Sequence, residues 1–549
     1  MIVDTPHAQA PAPLPERARR HALTRALTCA LLLTLTLTYT RPYIDISSPN
    51  ERSRVYAAVA LVDHGALSID APFKRFGYIG DRATYDGRLY SDKAPGSAAL
   101  AALVYGVARL WTSAEEWRIH ELLWLMRLSL SLPAGLLALL GARALLRRSG
   151  LPSPAVDLLG LTYLLGTPAA HYSAAFFGHQ LAAAAVAWGL EWGLRAAERG
   201  RREGALSCAL SGALCGAAVC LEYPSTIAVV TIGATLALTT PPDQRAGRLG
   251  AWALGGLPFA LALGAYHAAC FGHPLSLPYQ HLAAPAYRLV HDAGFAGLTA
   301  WDPHSFHLWL LSERRGLLVT SPFVLLALLG AWRLSRPRPH ASGLLAVTLL
   351  GISLSVWFSA SAHVWPSDWG FGPRVLLPLL PLWLPAVGAG LGAALSAPWW
   401  ARALALSLCL YSVALAQLVH AFSPEPWGHS LSPLADVVAP LWRAHLPSPN
   451  LGERLGLTGV SALSPLWALL LCGGALTSWR ALGALTRRQR LATLTLSALL
   501  ATAGLSAYAR RPPASVERQA EWLKLTRYWS GREGLYVGSP RPLPVQEAP

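Results

Sequence analysis

The sequence predicts an all-α polytopic membrane protein from its composition, its long uncharged segments and the distribution of its arginines. Of the 549 residues, 53% are hydrophobic and only 13% are charged, whereas soluble domains carry about 25% charged residues. The mean hydropathy is +0.37. A soluble fold would need several long helices buried on every side, so we expect helices that cross a bilayer.

About thirteen segments are apolar over the ~20 residues that a membrane-crossing helix needs. The first has a basic lead and no small-residue cleavage pattern, so we expect a retained anchor rather than a removed signal peptide. The segments lie near residues 23–40, 119–141, 153–170, 180–197, 204–221, 223–240, 250–269, 317–334, 342–360, 374–395, 399–420, 456–478 and 489–508.

The positions of the arginines predict how these segments are oriented in the membrane. The net charge of +16 comes from short clusters between apolar segments, which favours the positive-inside rule over nucleic-acid binding. We therefore expect residues 1–22 to be cytoplasmic and the protein to lie in the inner (plasma) membrane of a bacterium. The clusters are Arg143/Arg147/Arg148, Arg195/Arg199/Arg201/Arg202, Arg245/Arg248, Arg333/Arg336/Arg338 and Arg480/Arg487/Arg488/Arg490.

The segment 97–111 is also apolar, but counting it as a span would place the first arginine cluster outside. We predict instead a short helix in the outer interface. Within a transmembrane domain of residues 23–508, the long polar segments then face outwards. They are a first outer loop with juxtamembrane helices (41–118), a second large loop (270–316) and a third (421–455), followed by a C-terminal tail (509–549).

The chemistry is therefore expected on the outer, periplasmic face. Nucleotide-activated substrates are scarce there, and the sequence has neither a Walker loop nor a strand-GxGxxG-helix unit to bind them. An activated substrate would have to arrive in the membrane. The seven cysteines lie in apolar segments without CxxC spacing, so they predict neither disulfides nor a zinc site.

The first outer loop concentrates charge. A solvated loop is the simpler interpretation, but residues 55–62 predict a helix resting on the membrane, which would hold Glu51 near the bilayer surface. Carboxylates at that depth are costly unless they are paired or used. The loop carries Asp45, Glu51, Asp63, Asp70, Asp81, Asp86 and Asp92 among Arg52, Arg54, Lys74, Arg75, Arg82, Arg88 and Lys93.

Two motifs in this loop resemble a known family. The stretch SPNERSRVYAAVALVDHGALSID, which begins at Ser48, and YSDKAPG, which begins at Tyr90, resemble the first outer loop of GT-C membrane glycosyltransferases. The likeness is greatest to glycosyltransferase family 39, the relatives of lipid A aminoarabinose transferases and protein O-mannosyltransferases. That family shows P-D-E before a helix and Y-x-x-K-x-P at the next apolar helix. Asn50 stands where the family has an acidic residue.

The resemblance implies a GT-C-like helical bundle and a glycosyltransferase. Such an enzyme takes a sugar from a polyprenyl-phosphate donor and transfers it to a lipid, glycan or protein acceptor, generally with inversion. Because the Asn50 amide cannot act as a base, Glu51 is the first candidate for the catalytic base and Asp45 the second. Lys93 is the candidate clamp on the leaving phosphate, with Tyr90 assisting.

Other candidates follow from chemistry alone. Arg374 begins a span, where it could bind a lipid phosphate or simply reach for headgroups. Asp86 and Asp92 could bind sugar hydroxyls, hold neighbouring cations or ligate a divalent cation, and the sequence leaves a metal open. Further substrate-binding candidates in outward-facing segments are Arg52, His179, Glu222 and Tyr223, although structural histidines are an equal alternative.

Three other functions remain open. Because Asn50 replaces the acidic residue of the family, a noncatalytic GT-C-like membrane protein is one alternative. A transporter or flippase of lipid-linked glycans would also have many helices, but it predicts ionisable residues near the midplane and repeated halves. An outer-facing ligase or polymerase of lipid-linked glycans would use similar donors on a different bundle. All three, like the transferase, would have membrane lipids as partners.

Overall fold

The computed structural model describes residues 16–40, 48–295, 297–313, 315–336, 341–362, 370–423 and 432–509. This part of the chain is a bundle of α-helices with a single short antiparallel hairpin. The first half comprises α1 Glu16–Thr38, α2 Pro49–His64, α3 Asp70–Phe76, strands β1 Ala83–Tyr85 and β2 Arg88–Tyr90, α4 Pro95–Ala108, α5 Ile119–Met126, α6 Leu132–Arg147, α7 Ser153–Leu165, α8 Ala169–Tyr172, α9 Gly178–Ala196, α10 Arg201–Leu221, α11 Thr226–Thr239 and α12 Pro242–Phe271.

The second half consists of four long helices, α17, α19, α22 and α23, and several shorter ones. They are α13 Pro285–Asp292, α14 Pro303–Phe306, α15 Leu317–Thr320, α16 Leu326–Leu334, α17 Ala341–Ser361, α18 Leu384–Leu395, α19 Trp399–Phe422, α20 Ala439–Arg443, α21 Leu451–Arg454, α22 Ser464–Ala481 and α23 Arg487–Ala509. A π-helical turn, Arg127–Ser131, joins α5 to α6. A 3-10 helix, Arg374–Leu382, leads into α18 at an angle of 66°.

The predicted fold class is confirmed. Seven helices of the described chain are long and apolar enough to cross a membrane, or up to eight if the bent pair that ends in α18 forms one span. Each of the predicted segments contains a helix or a pair of helices, and several of these are shorter than a full span. The protein is therefore a multi-pass membrane protein, while the number of thirteen crossings and the orientation stay predictions.

Helices α10 and α12 pack at very close range because glycines face each other's backbone. A Cβ atom at Gly212 would lie 1.8 Å from the carbonyl oxygen of Trp252, and one at Gly255 would lie 2.0 Å from that of Ala209. Small residues of this kind let membrane helices approach closely, since association in lipid relies on packing rather than on the hydrophobic effect.

The first loop forms a small helical cap at one end of the bundle, which we call the first-loop end. It contains α2 to α4, and both helices predicted here, near 55–62 and 97–111, are present. Ser48 caps the start of α2, and Gly65 ends it in the left-handed region at φ 60°. At the opposite end of the bundle, Arg148 binds Glu191 and Glu198 and so ties α6 to α9.

Candidate functional site

Lys93 lies at the centre of a charged cluster at the first-loop end. Its Nζ is 2.9 Å from Asp81 Oδ2 and 2.8 Å from Asp92 Oδ2. Hairpin β1–β2 places Lys93 just after its second strand and two residues before Pro95, the first residue of α4. Lys93 therefore comes in sequence just before the positive end of an apolar helix, where anions are favoured. Ser53 of α2 donates to Asp92 Oδ1 at 3.3 Å and holds that carboxylate in place.

A second ion pair joins three segments beside Lys93. Arg54 Nη2 donates to Glu222 Oε1 at 2.5 Å, and His179 Nδ1 lies 2.8 Å from the same oxygen. Arg54 also donates to Ser97 and to the carbonyl and side-chain oxygens of Asn50. The Arg54 side chain is 1% exposed. Helices α2, α9 and the end of α10 thus meet at one buried arginine.

Glu51 is fully buried and bound by another arginine. Arg127 Nε and Nη2 donate to its two carboxylate oxygens at 2.9 and 2.7 Å, and the Phe176 N–H donates to Oε1 at 2.6 Å. Arg127 begins the π-helical turn inside the span Ile119–Arg147. Such turns often mark functional sites. The first candidate base is therefore engaged on both oxygens in this conformation.

Arg374 completes the cationic side of the site. Its guanidinium carbon is 5.5 Å from the centroid of the Phe177 ring, and that of Arg54 is 5.9 Å from the same ring. The charges of both arginines act on Asp81. Phe177 therefore lies near two guanidinium groups, each at a distance suited to a cation–π contact.

Burial and charge pairing shift the pKa values of the ionisable groups in this cluster in opposite directions. Burial raises the pKa of Asp81, but Lys93, Arg374 and Arg54 more than offset this, so that its pKa lies below the usual value. Burial and the nearby Asp81 charge raise the pKa of Asp92 despite Lys93. Glu222 is held at a pKa of about 2, because His179 and Arg54 outweigh the effect of burial. The two carboxylates on Lys93 also outweigh burial and raise its pKa, so the ammonium stays charged.

An aromatic group from the second large loop borders the cluster. The Tyr279 ring stacks on His291 with centroids 4.5 Å apart and meets Tyr223 edge-on at 5.5 Å. The Tyr223 hydroxyl lies 2.9 Å from His267 Nε2. Tyr279 interacts electrostatically with both Lys93 and Glu222. The second loop thus supplies an aromatic border to a site whose charges come from the first loop.

Several residues predicted from the sequence lie together, and others do not. The structure brings Glu51, Lys93, Asp92, Glu222 and His179 into one connected region. Arg374 adjoins it. Tyr223 lies on the border, while Asp45 falls outside the described residues.

Three predicted residues have other contacts. Tyr90 packs on Phe271 with ring centroids 5.4 Å apart. Arg52 donates to the Tyr56 hydroxyl at 2.6 Å and the Phe76 carbonyl at 2.5 Å, which ties α2 to α3. Asp86 is exposed in the two-residue turn of the hairpin, with φ 48°. Asp-Gly is the preferred pair for such a turn, so a local conformational role explains this residue.

Sequence reasoning missed four members of the site: Arg54, Asp81, Arg127 and Tyr279. One of them carried a usable signal, because Arg127 is a charge inside a predicted span, and such residues are expensive and usually functional. Asp81 stands in no motif. Tyr279 lies 186 residues after Lys93 (279 − 93), so only the folded chain shows their proximity.

The arrangement can bind an anion at the end of an apolar bundle. Lys93, Arg54 and Arg374 supply charge-assisted donors that suit phosphate oxygens. The exposed apolar side chains of α4, which include Leu103 and Val107, begin two turns beyond Lys93. Among the described residues, no group of three or more His, Cys, Asp or Glu side chains is placed to hold a metal ion.

The chain is similar to several solved structures. ArnT from Cupriavidus metallidurans bound to undecaprenyl phosphate matches at 15% identity and a TM-score of 0.47, over 90% of this chain and 77% of that chain. AglB, an archaeal oligosaccharyltransferase from Archaeoglobus fulgidus in complex with an inhibitory peptide and a dolichol-phosphate, matches at 12% identity and a TM-score of 0.43, over 82% and 60%. The arabinosyltransferase EmbB from Mycobacterium smegmatis matches at 12% and 0.43, over 95% and 44%.

No family model and no curated protein matches the chain.

Proposed function

We propose that the chain is a glycosyltransferase that takes a sugar from a polyprenyl-phosphate donor and transfers it, with inversion, to a lipid, glycan or protein acceptor on the outer face of the membrane. The observation that supports this most strongly is the position of Lys93. It stands at the start of an apolar helix, with Arg54 and Arg374 beside the same cluster. A lipid phosphate needs cations at the point where its tail leaves the bilayer.

The cations have a clear chemical task in this reaction. As the bond between the sugar and the phosphate breaks, negative charge grows on the departing phosphate, and preorganised donors stabilise it. Lys93 and Arg374 act as the clamp in the proposal. The prenyl tail would run along the exposed apolar side chains of α4, among them Leu100, Leu103 and Val107.

The proton acceptor is the second requirement. Glu51 remains a candidate, but it would have to give up hydrogen bonds to Arg127 before it could accept a proton. Asp45 also remains a candidate. The buried pair Glu51–Arg127 has an evident second task, because it fixes the start of α2 against a membrane-crossing helix.

A second function, binding of a lipid phosphate without transfer, has one observation in its favour. Asn50 turns its amide oxygen to Arg54 and cannot accept a proton, and the neighbouring Glu51 is bound on both oxygens. A protein of this kind would keep the phosphate clamp and lack the base. Turnover distinguishes the two functions, because both predict binding.

The test is a set of radiolabelled polyprenyl-phosphate sugars, offered to the purified protein in lipid with a membrane extract as the source of acceptors. We expect wild type to remove the labelled sugar from at least one donor. The variant Lys93→Ala should leave that donor unchanged. The exposed Lys74 of the same loop provides the control Lys74→Ala. Binding of a donor without any turnover would favour the noncatalytic function, and no binding would refute both.

A further inference from the structure

We propose that Asp81 is both a latch on the phosphate clamp and the proton acceptor of the transfer. In this structure Asp81 holds Lys93. When a lipid phosphate takes over Lys93, Asp81 is released and accepts the proton of the acceptor hydroxyl. The inference rests on the proposed function and adds a catalytic residue to it.

Exposure singles out Asp81 among the four carboxylates of the site. Its side chain is 31% exposed, against 0% for Glu51, 7% for Asp92 and 8% for Glu222. An acceptor hydroxyl must reach the base, so the three buried carboxylates would each need a local opening. Asp81 needs none.

The oxygens of Asp81 are also less occupied. Glu51 accepts three hydrogen bonds, and Glu222 Oε1 alone contacts both Arg54 and His179. Asp81 contacts Lys93 through Oδ2, and in the described part of the chain Oδ1 contacts no donor. A free carboxylate oxygen at the exposed side of a cationic site is what a general base requires.

The loop that carries Asp81 is anchored on both sides. Ile79 is 1% exposed and Ala83 is fully buried. The Arg82 carbonyl accepts from the Ala283 N–H at 3.0 Å, and Ala83 forms a β-bridge with Leu282. The second large loop therefore fixes the position of Asp81 relative to Lys93, which makes the carboxylate a defined part of the site rather than a mobile surface group.

Charge explains why a phosphate would displace Asp81 and leave Asp92. Three anions around one ammonium group repel each other, so one of them gives way when a phosphate arrives. Asp92 is the residue next to Lys93 and is held by Ser53, whereas no second side chain holds Asp81 in the described part of the chain and its side chain is partly exposed. Lys93 is the first of the cations that keep Asp81 ionised, ahead of Arg374 and Arg54. When a bound donor takes Lys93 away from Asp81, the affinity of Asp81 for a proton rises. Without the donor, the contact with Lys93 keeps that affinity low.

In the proposed transfer step, one bond forms and one bond breaks at the anomeric carbon of the sugar. The acceptor oxygen forms a bond to the anomeric carbon of the sugar while its proton moves to Asp81 Oδ1. The bond between that carbon and the phosphate oxygen breaks, and its electron pair leaves with the phosphate. Lys93 and Arg374 stabilise the added charge. The proton on Asp81 passes to solvent, and departure of the lipid phosphate lets Asp81 bind Lys93 again.

The experiment compares wild type and Asp81→Asn, with Glu115→Gln as a control at an exposed carboxylate of the same loop. The affinity for undecaprenyl phosphate is measured in lipid nanodiscs at pH 7 and pH 4. Loss of the competing carboxylate should tighten binding about tenfold at pH 7. The advantage should shrink at the lower pH, because loss of the Lys93 contact makes proton uptake by Asp81 easier in the wild-type complex than in the free protein. Turnover of a donor that wild type consumes in the radiolabelled-donor test should fall by about 10²- to 10⁴-fold in Asp81→Asn, and Asp81→Glu should restore part of it.

Each outcome has one meaning. Tighter binding with lost turnover in Asp81→Asn supports the latch and the base. If Asp81→Asn binds no more tightly than wild type, or if it turns over normally, the inference is wrong while the proposed function stands. If wild type binds no lipid phosphate, or binds donors without turnover, the proposed function fails and the base assignment fails with it. Thermal unfolding of Asp81→Asn and Asp81→Glu shows whether the fold of each variant is intact.

Discussion

Arg127 grips Glu51 through two hydrogen bonds of 2.9 and 2.7 Å, and both side chains are at most 5% exposed. The pair joins the start of α2 to the π-helical turn of the span Ile119–Arg147. A buried pair of this kind contributes little net stability over a well-packed apolar pair, but breaking it leaves an uncompensated charge. Its loss should therefore affect folding before it affects chemistry.

Glu51→Gln is expected to destabilise the protein by about 3–5 kcal/mol, because the buried Arg127 would lose its counter-charge. Thermal unfolding in detergent measures this loss. A double variant, Glu51→Gln with Arg127→Met, should recover much of it. An unchanged melting temperature together with lost turnover would contradict the anchoring role and assign Glu51 as the base.

Lys93→Ala is expected to weaken undecaprenyl phosphate binding by about 1.5–3 kcal/mol, the worth of a hydrogen bond to a charged group. Lys74→Ala, at an exposed lysine of α3, should leave the affinity unchanged. Titration of the lipid into nanodiscs provides both values. Equal losses in the two variants would mean that the loop binds phosphate through its overall charge and not through one clamp.

Gly255→Ala is expected to destabilise the protein by about 1–3 kcal/mol through overpacking. The new methyl group would meet the Ala209 carbonyl of α10 at 2.0 Å. Gly250 of the same helix is the matched control, because a Cβ there has no neighbour within 4 Å. Unfolding of the two variants side by side should separate them, and equal stability would contradict the close α10–α12 contact.

Glu222 should make stability sensitive to acid. Its pKa falls from 4.5 to about 2 because His179 and Arg54 stabilise the carboxylate more than burial destabilises it. A carboxylate with a lowered pKa stabilises the fold above its unfolded pKa, and this contribution is lost as the pH falls from about 4.5 towards 2. Glu222→Gln should flatten the dependence of the unfolding free energy on pH in that window. A slope equal to that of wild type would exclude this role.

The sequence predicted the helices well because a membrane demands long apolar segments, and those are visible without any tertiary contact. It also predicted Lys93 from its match to the family motif at the start of an apolar helix, and Glu222 and His179 from their positions at the ends of apolar segments, each by itself. The sequence did not show which of these residues contact each other. Glu222 meets Arg54 across 168 residues, and nothing local specifies that contact.

Asp81 shows the same limit in another form. It is one of several carboxylates in a charged loop, and its chemistry depends on how exposed it is beside Lys93. Exposure of that kind is set by the anchoring of Ile79 and Ala83 and by the second large loop. Asp86 has an equally polar sequence context but lies in the hairpin turn, so residue type alone does not separate the two.

The most direct test of the central claim is an experimental structure of the protein in lipid with undecaprenyl phosphate bound. We expect the phosphate within hydrogen-bond distance of Lys93 Nζ, Arg374 beside it, and Asp81 withdrawn from the 2.9 Å contact that it makes with Lys93 in the present structure. A phosphate held at the opposite end of the bundle, near Arg148, or a site in which Lys93 keeps both carboxylates and touches no phosphate, would contradict the account.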